Sequence, residues 1–119
     1  MIKMQKNFQK QKFLSSIEID KKNLIHNVKQ IKSLLKKEAK FAAVIKSNAY
    51  GHGDVEVVKI LNNYVDYFQV NSIEELARIK KYTKKPILVL GYVAKNDLEK
   101  AIKLGCILSV FDLQHLGSI

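Results

Sequence analysis

The sequence has few of the features that mark secreted, membrane or dinucleotide-binding proteins. Cys106 is the single cysteine among 119 residues, so no internal disulfide can form, and the pattern suits a reducing cytosol. No apolar stretch is long enough for a membrane span, and no secretory h-region follows the basic N-terminal segment. No G-x-G-x-x-G follows an apolar run, which argues against a dinucleotide site. These absences favour a cytoplasmic protein with no membrane partner.

Acidic residues are also scarce, at 11 against 21 basic ones, and the net charge is +10. An excess of this size can favour nucleic acid, because basic surfaces release counterions when they bind it. The lysines, however, alternate with apolar positions at helical spacing, as on solvated helix faces. No RNP-like aromatic motif, helix-turn-helix pattern or Cys/His zinc spacing accompanies them. We therefore expect no nucleic-acid partner and no metal site.

The chain does have apolar runs, and these alternate with amphipathic segments. The runs predict strands at 41–45, 67–70, 87–90 and 107–111, roughly twenty residues apart. Helical patterns lie between them, so the sequence predicts an α/β fold with a parallel sheet. The spacing fits a (β/α)8 repeat better than a Rossmann fold.

Helix-start and helix-stop signals fill in the predicted order. Asp20 is a candidate N-cap for a helix with an apolar stripe, and a capping box from Ser72 to Glu75 predicts a helix through Ile79. Further helices are expected over 54–61, from Asn96 to a stop at Gly105, and after Asp112. Alternation in 16–19 predicts a short half-buried strand before the first helix. The stripe of the first helix comprises Leu24, Val28, Ile31, Leu34 and Leu35.

The candidate chemistry lies where the first apolar run stops. Phe41–Ile45 reads as a buried strand, and Lys46 follows it directly. A lysine at the carboxyl end of a strand in an α/β sheet is placed as a Schiff-base amine would be. The loop that follows contains Tyr50 and His52, and its glycines permit backbone turns that other residues resist.

The run from Val44 to Gly53, VIKSNAYGHG, resembles the pyridoxal-phosphate lysine motif of the alanine racemase family. The similarity extends from about residue 16 to the end and includes the strand before Gly91. It implies that Lys46 binds pyridoxal phosphate covalently and acts as a catalytic base at the substrate Cα. It also implies that Tyr50 donates a hydrogen bond to the cofactor phosphate and that His52 organises the loop. We predict no functional role for His26 or His115, and we expect Cys106 to be a buried core thiol.

The resemblance further implies interconversion of L-alanine and D-alanine for peptidoglycan synthesis by a homodimer when full length. The second base in this family is a tyrosine from the C-terminal domain of the partner subunit, and no position here matches it. Because a complete barrel needs about 250 residues, we expect 16–119 to be the first four β/α units of a partial (β/α)8 TIM-type barrel. The C-terminal β domain would be absent, 1–15 would be a disordered basic leader, and the isolated fragment would be inactive. A racemase of another amino acid such as serine, or a non-catalytic basic fragment, remains the alternative.

Overall fold

A computed structural model describes residues 15–119, in which helices and strands alternate. The predicted leader, 1–15, lies almost wholly outside these residues. The elements are α1 (Lys21–Ser33), β1 (Ala42–Val44), α2 (Lys46–Tyr50), α3 (Asp54–Leu61), β2 (Tyr67–Val70), α4 (Ile73–Ile79), β3 (Ile87–Val89), α5 (Lys95–Leu104), β4 (Ile107–Leu108) and α6 (Leu113–Leu116), with a 3-10 turn at Lys80–Tyr82. The predicted alternation is confirmed.

The four strands form one parallel sheet in the order β1-β2-β3-β4. Ala43 pairs with Phe68, Phe68 with Ile87, and Val89 with Leu108. Each strand therefore lies beside the next one in sequence, as consecutive β/α units of a barrel do. All the carboxyl ends meet at one edge of the sheet, which is where barrel enzymes carry their chemistry.

The core lies between one face of this sheet and the helices. Pleating sends alternate side chains to opposite faces, and Phe68, Val70 and Ile87 are fully buried on the helix side. They pack with helix residues such as Val58 and Leu76, which are also fully buried. The side chains on the other face of the sheet are half-buried or exposed. They are Val44, Tyr67, Gln69, Leu88 and Ile107.

The predicted caps form as hydrogen bonds. Each helix N-terminus leaves unpaired backbone N–H groups that a side-chain oxygen can satisfy. The Asp20 carboxylate accepts from the backbone N–H of Lys22 and of Asn23, Ser72 Oγ accepts from Glu75, and the Asp112 carboxylate accepts from His115. Gly105 ends α5 in the left-handed region, at φ +61°. Helix α5 begins one residue before the predicted start, and no side chain caps it.

The predicted strand at 16–19 is wrong. These residues form no strand in the part of the chain that the structure describes, and Ile17 is 72% exposed. Alternation predicts a strand only where a neighbouring strand can pair with it, because a lone extended segment leaves its N–H and C=O groups unsatisfied. No strand lies beside 16–19 within 15–119.

The two outer strands are shorter and less buried than predicted. β1 spans Ala42–Val44 rather than 41–45, and β4 spans Ile107–Leu108 rather than 107–111. Val44 is 39% exposed and Ile107 50%. The apolar runs are present, but each of these strands pairs on one side only among residues 15–119. The pairing, and not the run of apolar residues, sets how far a strand extends.

The apolar stripe of α1 is also covered only in part. Val28 is buried and Leu24 is half-buried against the core. Leu34 and Leu35 lie beyond the helix end and are exposed. In residues 15–119 no helix combines the length and the apolar character that a bilayer crossing requires.

Candidate functional site

The turn after β1 has a backbone conformation that amino acids other than glycine rarely adopt. α2 is one turn of left-handed helix, in which Ser47, Asn48, Ala49 and Tyr50 have φ between +51° and +55°. Left-handed helix costs roughly 1–2 kcal/mol for each non-glycine residue, because Cβ approaches the following carbonyl oxygen. A turn of four such residues survives only where its surroundings hold it, and strain of this kind clusters at functional sites.

Backbone hydrogen bonds within the turn provide part of this support. The N–H of Ala49 donates to the Ile45 carbonyl at 2.9 Å, and the N–H of Gly53 donates to the Asn48 carbonyl at 2.9 Å. Gly51 and Gly53 follow with φ of +91° and +89°, which glycine adopts without a steric penalty. Ile45 and Ala49 anchor the turn in the apolar core, where they are 1% and 6% exposed.

The Glu75 carboxylate of α4 provides a second support from outside the turn. One of its oxygens accepts the backbone N–H of Ser47 at 2.6 Å, and the other accepts that of Asn71 at 2.7 Å. The predicted capping box is therefore only half formed. Ser72 Oγ accepts from the Glu75 N–H, but the Glu75 side chain reaches the lysine turn instead of bonding back to the cap.

A third support connects the same helix to the end of the turn. Asn48 Oδ1 accepts the backbone N–H of Asp54 at 3.1 Å and so caps α3, whose N-cap Gly53 has no side chain. The Asp54 carboxylate is buried and pairs with Arg78, whose Nε lies 2.7 Å from Oδ2. This hydrogen bond with Asp54 raises the pKa of the Arg78 guanidinium.

Lys46 lies at the start of this braced turn, at the carboxyl edge of β1, and its side chain is half-buried. No hydrogen bond or ion pair from residues 15–119 reaches its amine, as is also true of most other lysines in this range. Its position at the start of the braced turn distinguishes it from them. The structure therefore places an uncommitted primary amine at the sheet edge where α/β enzymes bind ligands.

Tyr50 and His52 lie on the same turn. Tyr50 ends the left-handed helix and is 62% exposed, so its hydroxyl is open to a ligand. His52 Nδ1 lies 3.1 Å from the Ala49 carbonyl oxygen, which ties the imidazole to the turn's own backbone. The predicted site residues are thus on one short segment.

The bracing residues are not recognisable as such from the sequence pattern. The capping box explains Glu75 as part of a helix start, and no motif points to Asp54 or Arg78. One signal was available: Arg78 is the single arginine in a chain with many lysines. Arginine binds carboxylates in a planar, two-pronged geometry that lysine cannot reproduce, so a lone arginine is a sign of a specific ion pair.

A second cluster of side chains occupies the same edge of the sheet, after β3 and β4. His115 is 2% exposed, its ring centroid lies 4.5 Å from that of Tyr92, and Phe111 packs nearby. The Phe111 N–H faces Nδ1 at 3.4 Å, and Nε2 lies 3.1 Å from the Val93 carbonyl oxygen. His115 is therefore a buried, packed group with a partner at each ring nitrogen.

A cavity of about 390 Å³ borders this second cluster, compared with about 250 Å³ for the cavity lined by Ile45, Ala49 and His52 of the lysine turn. The lining of the larger cavity includes Tyr92, Lys95, Asp112 and His115. The volume alone does not make it the site, because both ring nitrogens of its buried histidine already have partners. We therefore place the candidate site at Lys46.

The residues at Lys46 fit pyridoxal phosphate. Covalent attachment needs an accessible amine with no competing carboxylate, and the Lys46 amine meets that condition among the described residues. Phosphate binding needs hydrogen-bond donors nearby, and the exposed Tyr50 hydroxyl can donate.

Comparison with known proteins places this site in a family. The family model described as "Alanine racemase, N-terminal domain" matches residues 19–119. Alanine racemase 2 of Caldanaerobacter subterraneus subsp. tengcongensis is 33% identical over 87% of this chain and 27% of its own length. The serine/alanine racemase of Enterococcus gallinarum is 34% identical over 82% of this chain and 14% of its own length.

A solved structure of alanine racemase from Clostridium difficile 630 superimposes on this chain with a TM-score of 0.77. It is 37% identical over 82% of this chain and 26% of its own. The chain thus spans about a quarter of the length of that structure and of the Caldanaerobacter relative. Its four β/α units are part of a TIM-type barrel, as predicted, and the chain belongs to the alanine racemase family of isomerases.

Proposed function

We propose that this chain carries the cofactor-attachment lysine of a pyridoxal-phosphate-dependent alanine racemase, which interconverts L-alanine and D-alanine. The observation that supports the proposal most strongly is the Lys46 amine at the carboxyl edge of β1, which has no partner among residues 15–119 and is held by a strained turn of four residues. A fold maintains backbone strain where the strained geometry is needed, and an unpaired amine on such a turn is suited to covalent catalysis.

Each residue of the turn then has a defined task. Lys46 attaches the cofactor through its amine and holds a proton on one face of the substrate Cα. Tyr50 donates its hydroxyl hydrogen bond to the phosphate and takes no part in proton transfer. His52 keeps the turn in shape through the Ala49 carbonyl. When bound, the cofactor ring withdraws electrons from the substrate Cα, which weakens the Cα–H bond.

Alanine is the first substrate candidate because several relatives carry that name. Serine is the second, since the Enterococcus gallinarum relative is a serine/alanine racemase. A role in peptidoglycan synthesis, a cytoplasmic location and a homodimer in the full-length protein belong to the same proposal. Racemisation needs a base on each face of Cα, and Lys46 accounts for only one. We therefore propose that these 119 residues alone do not racemise alanine.

The test is to incubate the full chain with pyridoxal phosphate, reduce it with borohydride and map the labelled peptides. We expect one dominant pyridoxyl adduct, on Lys46. Labelling spread over many exposed lysines would instead favour the non-catalytic basic fragment. An adduct on another single lysine, with Lys46 unmodified, would refute the assignment.

Substrate choice is tested separately, by exchange of the Cα hydrogen in deuterated water. L-alanine and L-serine are offered in parallel to an assembly that contains this chain together with a source of the second base. Faster exchange of alanine supports the alanine assignment, and faster exchange of serine overturns it.

A further inference from the structure

We propose that Glu75 is a positioning residue for Lys46. Its carboxylate makes no bond to the amine, and it acts by fixing the left-handed turn that begins at the lysine. This inference rests on the proposed role of Lys46. It adds a carboxylate, on a different helix, whose purpose is to set where the amine stands.

The geometry shows one carboxylate joining two loops. The Glu75 oxygens lie 2.6 Å from the Ser47 nitrogen and 2.7 Å from the Asn71 nitrogen. Ser47 lies just beyond the end of β1 and Asn71 just beyond the end of β2, the neighbouring strand. Hydrogen bonds to a charged acceptor are shorter and stronger than neutral ones. Glu75 thus ties the residue after the lysine to the adjacent strand end.

The Asn71 end of this connection is itself fixed to the sheet. The Asn71 carbonyl accepts the N–H of Gly91, after β3, at 3.1 Å. A Cβ atom at Gly91 would lie 2.3 Å from that carbonyl oxygen, so the two backbones approach as closely as a glycine allows. Through Asn71, Glu75 thus connects the lysine turn to the ends of three consecutive strands, β1, β2 and β3.

Helix capping does not explain the position of this carboxylate. The first turn of α4 is capped by Ser72 Oγ, and Glu75 makes no return bond to that residue. Its neighbour Glu74 has the same charge in the same helical turn, but its carboxylate is exposed and approaches Lys100 at 3.9 Å. Its own backbone N–H and the Ser72 hydroxyl lower the pKa of Glu74, so its contacts stay at the helix start and do not reach the lysine turn. If Glu75 served only the helix dipole, the two glutamates would be equivalent.

Helix α4 also holds the far end of the turn, one helical turn further along. Arg78 pairs with the buried Asp54, and the Asp54 N–H donates to Asn48. Loss of Glu75 therefore releases the beginning of the turn while its end stays anchored. We expect a local change at Ser47 and Lys46, with no unfolding of the sheet.

The first experiment needs no cofactor. Amide hydrogen exchange is measured in the full chain for Glu75→Ala and for the matched control Glu74→Ala. Losing a hydrogen bond to a charged acceptor should speed exchange at Ser47 by about ten- to a hundredfold. The Phe68 amide, in the centre of the sheet, should change by less than about twofold, since local opening leaves the core protected. Glu74→Ala should change neither amide.

The second experiment measures capture of pyridoxal phosphate by Lys46, with borohydride reduction and peptide mapping. We expect Glu75→Ala to raise the concentration needed for half-maximal labelling at Lys46 by about tenfold or more. Glu75→Gln should give an intermediate value, because its amide oxygen can still accept one of the two N–H groups. Glu74→Ala should match the unmodified chain.

Three results would overturn the proposal. The first is unchanged Ser47 exchange in Glu75→Ala. The second is parallel acceleration at Ser47 and Phe68 in Glu75→Ala, which would make Glu75 a general stabiliser. The third is equal loss of Lys46 labelling in Glu74→Ala. Failure of the unmodified chain to label Lys46 would instead refute the proposed function, and the exchange data would still decide whether Glu75 holds the turn.

Discussion

Two turns at the same edge of the sheet, one after β1 and one after β4, differ in whether their titratable side chain has hydrogen-bond partners. The turn after β1 leaves the Lys46 amine without a partner among residues 15–119. The segment after β4 buries His115 and gives both of its ring nitrogens a partner. Position at the carboxyl edge of a parallel sheet is common to the two, so position alone does not identify a catalytic group.

The backbones of the two segments also differ, in whether they contain non-glycine residues with positive φ. Non-glycine residues with positive φ are confined, within 15–119, to the four residues that follow Lys46. The segment from Ser109 to Leu116 has none, and its Asp112 cap and aromatic contacts are ordinary packing. Strain together with an unpaired group marks the candidate site, whereas burial together with saturated hydrogen bonds marks a structural residue.

The largest expected effect is loss of covalent cofactor capture in Lys46→Ala. No other amine stands on the strained turn, so the specific adduct should disappear and not move to a neighbouring lysine. The measurement is borohydride trapping followed by peptide mapping. The matched control is Lys95→Ala, which removes a lysine from the lining of the cavity beside His115. Equal losses of cofactor labelling in the two variants would show that the two turns do not differ in function.

His115→Ala should have the reverse profile, with a large loss of stability and little change in Lys46 labelling. Removing a buried ring with two hydrogen-bonded nitrogens should cost roughly 2–4 kcal/mol of unfolding free energy. Urea denaturation measures it, with His26→Ala, at an exposed position on α1, as the control. A His115 variant that is as stable as the parent but fails to label Lys46 would show that the second cluster belongs to the site.

Tyr50→Phe should weaken cofactor binding by about ten- to a hundredfold, because a hydrogen bond to a charged phosphate contributes roughly 1.5–3 kcal/mol. The phenyl ring keeps the packing, so the loss should be specific to the hydroxyl. Tyr92→Phe is a matched control in the loop after β3, since Tyr92 is 61% exposed and Tyr50 62%. Titration of the reconstituted protein with pyridoxal phosphate measures both. In an intact enzyme that carries this N-terminal half, lost turnover with unchanged cofactor affinity would make Tyr50 a proton-transfer residue.

Most of the fold could be predicted because its signals are local. Helix starts are indicated by Asp20, Ser72 and Asp112. Their side-chain oxygens accept hydrogen bonds from backbone N–H groups two or three residues further along the chain. The strand at 67–70 was predicted to the residue. Strand length at the edges could not be predicted, since it depends on partners distant in sequence, and the misassigned strand at 16–19 failed for the same reason.

The candidate site was predictable only in its first residues. The motif from Val44 to Gly53 pointed to Lys46 and Tyr50, whose roles remain predictions. The sequence did not show that four residues in it would turn left-handed, because Ser, Asn, Ala and Tyr each prefer other conformations. The reason lies in tertiary contacts with Glu75 and, through Asp54, with Arg78, which stand more than twenty residues away.

The smallest predicted effect concerns the two edge strands of the sheet. It tests whether a hydrogen bond to a charged carboxylate stabilises β1 while apolar packing stabilises β4. At the amino end of β1, an Asp66 oxygen accepts the Phe41 N–H at 2.7 Å. This bond lowers the pKa of Asp66 below its ordinary value of 3.8, nearby Lys32 lowers it further, and partial burial opposes both. A lowered pKa means that the stabilisation is present above about pH 4 and is lost as the pH falls through the folded-state value.

Acid should therefore loosen β1 before β4. Amide protection, corrected for the intrinsic pH dependence of exchange, should fall at Phe41 as the pH is lowered below about 4. Protection at Ser109, whose N–H donates to the Val89 carbonyl, should stay level. Asp66→Asn removes the titrating group and should abolish this difference, with Phe41 already less protected at neutral pH. Asp97→Asn, at an exposed position on α5, is the control and should behave like the parent. If Phe41 and Ser109 lost protection together in the parent, acid would be acting on the whole sheet, and the contrast between a charge-held edge and a packed edge would fail.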